Sequence, residues 1–207
     1  MKKFLAITFV IVLSIFTASC GSEPSPSDVV NDYLKAVKAQ DAETMSKIYE
    51  GDVSDVSITS DEGIDTDSFP EELEKKLKDM SLSYEYSVAN EQINGNTATV
   101  DVTIKTYAFG SVFREAFSEA FSKILDMAFS GASDDEMDKV TNDIIAEKLE
   151  GAVFNYEETA TVSLTKGNDG WIIDEFEEDG DFVNCITGGM IEFAKDMSDA
   201  FSDTNAE

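Results

Sequence analysis

The chain has 207 residues, 43 acidic against 15 basic side chains, no histidine and two cysteines, giving a net charge of −28. That balance counts against nucleic acid as a partner, because phosphate binding needs clustered Lys and Arg. The missing imidazoles count against a zinc site and a histidine base, and neither a metal nor a cofactor is expected.

The opening residues Met1-Lys2-Lys3 form a short positive region, and residues 4–19, "FLAITFVIVLSIFTAS", carry no charge. Sixteen residues are short for a spanning helix, which needs about 20, and suit a secretory signal peptide. The "TASC" that ends the stretch resembles a bacterial lipobox, with Thr17 where such boxes usually carry leucine. The resemblance implies a diacylglyceryl group on the Cys20 thiol and cleavage that makes Cys20 the new N-terminus. Two acyl chains give stable anchoring where one does not. The expected location is therefore the extracytoplasmic face of a bacterial cell membrane. Residues 20–27, the lipidated cysteine and "GSEPSPS", read as a tether that keeps the folded part close to the bilayer.

A single α+β domain is expected over 28–202. Ser25, Pro26 and Asp28 fit the N-cap, N1 and N3 positions of a helix whose apolar face is Val29, Val30, Tyr33, Leu34 and Val37. Asp41 caps a second helix through Met45, Ile48 and Tyr49. Residues 51–67 are polar and acidic, with a short strand expected at 53–58. A helix over 70–80 turns Leu73, Leu77 and Met80 inward.

Strands follow. Leu82, Tyr84, Tyr86 and Val88 share one face; Asn94-Gly95 signals a hairpin; Ala98, Val100, Val102 and Ile104 alternate inward on the return. The period then changes. Phe109, Phe113, Phe117, Phe121 and Phe129 stand at multiples of four. A step of four drifts about 40° around a helix, so this row is too broad for one flat contact to cover. A second helix over 134–150 completes a helical hairpin, 109–150. Strand alternation returns with Tyr156, Ala160, Val162 and Leu164, and "GNDG" leads into Trp171 and Ile173. A C-terminal helix over 188–202 carries Met190, Phe193, Met197 and Phe201, and 203–207 is a tail. Cys185, among Phe182, Val183 and Ile186, reads as a small buried hydrophobe with no disulfide partner.

Three stretches, in this order, are similar to small lipoproteins of the nuclear-transport-factor-2-like superfamily, which also houses ketosteroid isomerases and SnoaL-like cyclases. They are "VVNDYLKAVKAQDAETMSKIY", "ANEQINGNTATVDVTIK" and "ETATVSLTKGNDGWIIDE", about a third of the chain. The resemblance implies a curved antiparallel sheet wrapped around the N-terminal helices as a cone. Tyr86, Val100, Val102, Ile104, Tyr156, Val162 and Trp171 would then line a pocket or fill a core. The helical hairpin and the C-terminal helix depart from that pattern.

Enzymes of that superfamily use an Asp, a His or Tyr/Asp donors within the cone. Here Asp101, the carboxylate within the alternating stretch, has outward parity, so no general base can be placed. Glu175, Glu177, Asp179 and Gly180 mimic part of a calcium loop, but position 12 falls on Ile186, so a solvated acidic loop is expected. The phenylalanine row reads first as core, the helical hairpin packing on the sheet or on the C-terminal helix, and second as a contact surface for a partner chain, a lipid or an apolar ligand, with Phe113, Phe117 and Phe121 as interface candidates. The expected function is a lipid-anchored, non-enzymatic domain binding a small apolar ligand or a protein partner at the envelope. The alternatives are a self-associating envelope protein and a small hydrolase or isomerase using the cone.

Overall fold

The computed structural model describes residues 23–52 and 69–202, with side chains described as far as Ala200. The signal segment, Cys20, the strand expected at 53–58 and the tail 203–207 lie outside the described residues.

Helix α1, Pro26–Ala39, opens with the capping box its sequence spells. The Ser25 hydroxyl accepts from the Asp28 N–H (3.2 Å), and the Asp28 carboxylate accepts from the Ser25 N–H (3.0 Å). Gln40, left-handed at φ 54°, ends the helix, and Asp41 then caps α2, Ala42–Ile48, by accepting from the Thr44 N–H. Helix α3, Glu71–Ser81, starts behind Pro70 and buries Leu73 and Leu77.

Four strands, β1 Glu85–Asn94, β2 Thr97–Thr106, β3 Tyr156–Lys166 and β4 Trp171–Ile173, make one antiparallel sheet in that order. Asn94 pairs with Thr97, so the β1–β2 turn residues are Gly95 and Asn96, one residue later than the expected Asn94-Gly95, and Gly95 at the first turn position supplies the positive φ (66°). Strand β2 alternates without a slip, burying Ala98, Val100, Val102 and Ile104. Strand β1 departs from its expected inward row. Leu82 ends α3, Tyr84 is buried ahead of the strand, and a bulge at Asn90 (φ 53°) shifts the register between Ala89 and Gln92. The extra residue breaks the two-residue period, and positions 89–94 are all exposed.

Strands β2 and β3 pair without interruption from Thr97↔Thr165 to Thr106↔Tyr156. The hairpin of α4, Phe109–Ser130, and α5, Asp134–Glu150, is therefore inserted between two neighbouring strands at the Thr106–Tyr156 end of the sheet. The C-terminal helix expected from 188 is α7, Met190–Ser202, and a further helix that was not expected, α6 Asp181–Ile186, precedes it. Gly188 (φ 63°) and Gly189 (φ 84°), both left-handed, break the chain between them.

Two apolar clusters result. In the first, α1, α2 and α6 cover one face of the sheet, with Tyr33, Leu34, Val100, Val102, Ile104, Leu164 and Ile173 fully buried. The Tyr84 hydroxyl donates to the Leu34 carbonyl (2.7 Å) and ties α1 to the start of β1. The second lies beyond the sheet, where α3 and the first half of α4 meet the second half of α5 around Leu77, Phe109, Phe113, Ile144 and Leu149. Each large side chain so buried contributes about 1.5–3 kcal/mol. A backbone bond from Gly110 N–H to the Gly188 carbonyl (2.9 Å) joins the hairpin to the α6–α7 link.

Candidate functional site

The covered face of the sheet is the first place for a pocket. Val100, Val102 and Ile104 are 0% exposed and Val162 is 1% exposed, so no water-sized space adjoins them. They are core residues, packed with α1 and α6. Trp171 is buried at the edge of the same cluster, with the Lys166 ammonium 5.4 Å from its ring centre. Tyr86 is half-buried, 5.8 Å beneath the Lys38 ammonium. The Tyr156 hydroxyl accepts from Asn184 Nδ2 (3.1 Å), and burial, with a hydrogen bond to Glu158, holds its pKa far above the ordinary phenol value. The seven pocket candidates thus divide into five buried residues and two half-buried tyrosines with polar or cationic partners.

Chemically reactive groups are held in structural bonds. Asp101 accepts from Asn90 Nδ2 and the Thr161 hydroxyl (both 2.9 Å), and these bonds lower its pKa. The Cys185 thiol is 1% exposed, and burial pushes it up to about 12, which removes it as a nucleophile near neutral pH. The acidic loop is an approach to α6. Asp179 pairs with Lys195 (3.2 Å), and Gly180 is the N-cap residue of α6. Among the described residues, no three His, Cys, Asp or Glu side chains converge as metal ligands.

An open depression of about 440 Å³ lies against α3, between Lys75, Lys76, Asp79 and Tyr107. Lys75 donates to Asp79, and Lys76 lies 3.8 Å from Glu150, so its cations are already paired. The Thr106 hydroxyl is fully buried with no hydrogen-bond partner among the described residues. No space adjoins it for a ligand to fill, so it is a packing cost. Thr106→Val, close in shape, should raise stability by about 1 kcal/mol in urea unfolding. A loss of stability would show instead that the hydroxyl is bonded.

The feature that remains is the phenylalanine row of α4. Along Phe109, Phe113, Phe117, Phe121 and Phe129 the exposure runs 0%, 7%, 40%, 57% and 85%. Five steps of about 40° turn the row through about 200°, from the second cluster to solvent. Phe113, one of the three interface candidates, is consequently core, while Phe117 and Phe121 stack with ring centres 6.1 Å apart at the surface. Leu125, 47% exposed, lies between Phe121 and Phe129 and extends the patch beyond the phenylalanines. Its spacing of four from both neighbours was the available signal. The patch ends near acidic residues: Asp126 on α4, and Asp134, Asp135 and Asp138 at the start of α5.

No family model matches the chain, and no curated protein matches it. Among solved structures, the chain is similar to the Bacillus subtilis protein YcdA, provisionally described as a lipoprotein, at 17% identity and a TM-score of 0.40. The match covers 78% of this chain and 47% of that one, so this chain spans less than half of that protein's length.

Proposed function

We propose that this protein is a lipid-anchored, extracytoplasmic, non-enzymatic domain that holds a protein partner at the bacterial cell envelope through the outer half of α4. The observation that carries the reading is the exposed patch of Phe121, Leu125 and Phe129 on the outer half of α4, a helix whose buried residues all lie between Phe109 and Ala120. Side chains of this size left at the surface forgo about 1.5–3 kcal/mol each, a cost that contact with a partner recovers. The surrounding carboxylates and the net charge of −28 favour a partner with a basic rim over a second copy of the chain. The filled sheet face disfavours an apolar small molecule inside the domain. Among the described residues no helix is long and apolar enough to cross a membrane, and the attachment proposed is the acylated Cys20. The packing of α1 and α2 on one face of the antiparallel sheet supports kinship with the nuclear-transport-factor-2-like cone.

Photoreactive residues at 121, 125 or 129 of the full chain should each crosslink one discrete heterologous species in the native host. The same group at Thr99, on the face of the sheet that α1, α2 and α6 leave uncovered, should not. Phe121→Ser with Phe129→Ser should abolish the adduct and leave the melting temperature within a few degrees. Adducts at Thr99 as strong as those at 129 would overturn the assignment, and a homodimer adduct would move it to self-association. Cys20→Ala should shift nearly all of the protein from the membrane pellet to the soluble fraction, since both acyl chains are lost. Retention in the pellet would rule out the lipid anchor.

A further inference from the structure

Resting on the acylated Cys20 of the reading above, we propose that the domain stands on the bilayer by one defined end. The β1–β2 and β3–β4 turns face the lipid, and the α4–α5 hairpin leaves from the far end.

The chain between anchor and fold is short. Glu23 is the first described residue, and it is not loose. Its carboxylate pairs with Lys166 at the end of β3 (2.7 Å), and its Oε1 lies 3.7 Å from where a side chain on Gly170 would begin. Two residues later Ser25 caps α1, and the Ser27 N–H donates to Glu91 of β1 (2.8 Å). Three steps from Cys20 to Glu23 span about 10 Å when fully extended. Even with the Glu23–Lys166 pair open, five steps to Ser25 reach only about 17 Å.

All of these attachment points lie at one end of the sheet. Lys166 N–H donates to the Asn96 carbonyl in the β1–β2 turn (2.8 Å), and Thr97 pairs with Thr165. The ten residues of β2 then run about 33 Å to Thr106, opposite Tyr156, where α4 departs and α5 returns. A link of about 10 Å cannot bring that far end to the anchor. At the near end Ile93 is 56% exposed beside the Asn94–Asn96 turn and can rest on the interfacial layer. Glu23, already paired with Lys166, adds little repulsion against lipid phosphates. The arrangement would hold Phe129 away from the lipid surface and open to a partner approaching from the envelope space.

The test uses the full-length chain, acylated in a bacterial host and recovered in phosphatidylethanolamine/phosphatidylglycerol vesicles that carry a nitroxide on the headgroup. Asn96→Cys and Ser130→Cys variants are labelled with a thiol-reactive fluorophore near neutral pH. Under those conditions the buried Cys185 stays protonated and unlabelled. Quenching at position 96 should exceed that at position 130 several-fold. A flexible Gly/Ser insert after Gly21, long enough to span the sheet, should erase the difference. Equal quenching in the native-length chain, stronger quenching at 130, or an asymmetry that survives the insert overturns the proposed orientation. Flotation of the vesicles separates the two readings. Protein that floats with symmetric quenching refutes the orientation alone, whereas protein that does not float refutes the anchor and the orientation together.

Discussion

Gly188→Ala and Gly110→Ala should each cost more than about 3 kcal/mol, a large share of the stability of an ordinary domain. At 188 the backbone is left-handed (φ 63°), and an added methyl would sit 2.1 Å from the Tyr107 carbonyl oxygen. At 110 it would sit 2.2 Å from the Gly189 carbonyl oxygen, within the junction that the Gly110–Gly188 hydrogen bond closes. Both obstacles are backbone atoms, so no rotamer change relieves them, and relief requires α4 to part from the α6–α7 link. Gly131→Ala is the internal control. It has the same left-handed strain (φ 81°) with nothing within 4 Å, and should cost only about 1–2 kcal/mol. Urea midpoints for the three variants decide the matter, and a Gly188→Ala protein as stable as Gly131→Ala would show that the junction is not tight.

That junction was the part of the fold least legible in the sequence, although its signal was present. Gly188-Gly189 is a strong punctuator. The amphipathic run through Met190, Phe193 and Met197 marks α7, but α6 is only six residues long and buries five of them, so it has no amphipathic period to read. The same holds at Asn90. A bulge depends on how two strands meet, and nothing in "VANEQIN" alone fixes it. By contrast, local chemistry could be read directly. Ser25 with Asp28, and Asp41, cap α1 and α2 where their side chains predict, and the alternation of β2 holds over all ten residues. The exposed patch was legible in part. The drift of the four-residue row requires that its two ends face different surroundings, but only the packing of α3 and α5 on Phe109 and Phe113 shows which end is covered.

Stability should fall steeply in alkali, by about 3–5 kcal/mol between pH 8 and pH 11. Three groups drive it. Burial raises the Cys185 thiol to about 12, and raises the Tyr84 phenol, and the Tyr156 phenol with help from Glu158, well above the ordinary value of 10.0. The sign follows from proton counting. Above about pH 9 the unfolded chain releases the cysteine proton while the folded chain keeps it, so the unfolded state binds fewer protons and gains relative stability. The loss from Cys185 runs from about pH 9 to its folded value near 12, at up to about 1.4 kcal/mol per pH unit. The tyrosines join above about pH 10, Tyr156 more weakly because it is only half-buried. Cys185→Ala should begin about 1 kcal/mol less stable at neutral pH, from the lost packing, yet decline less steeply, so its curve crosses that of the parent in alkali. Tyr84→Phe should lose about 1 kcal/mol with its bond to Leu34 and flatten the curve above pH 10. Unfolding midpoints for the three proteins across this range are the measurement. Parallel curves for the parent and Cys185→Ala would mean that the thiol titrates alike in the folded and unfolded chain, and hence that it is open to solvent and available for chemistry after all.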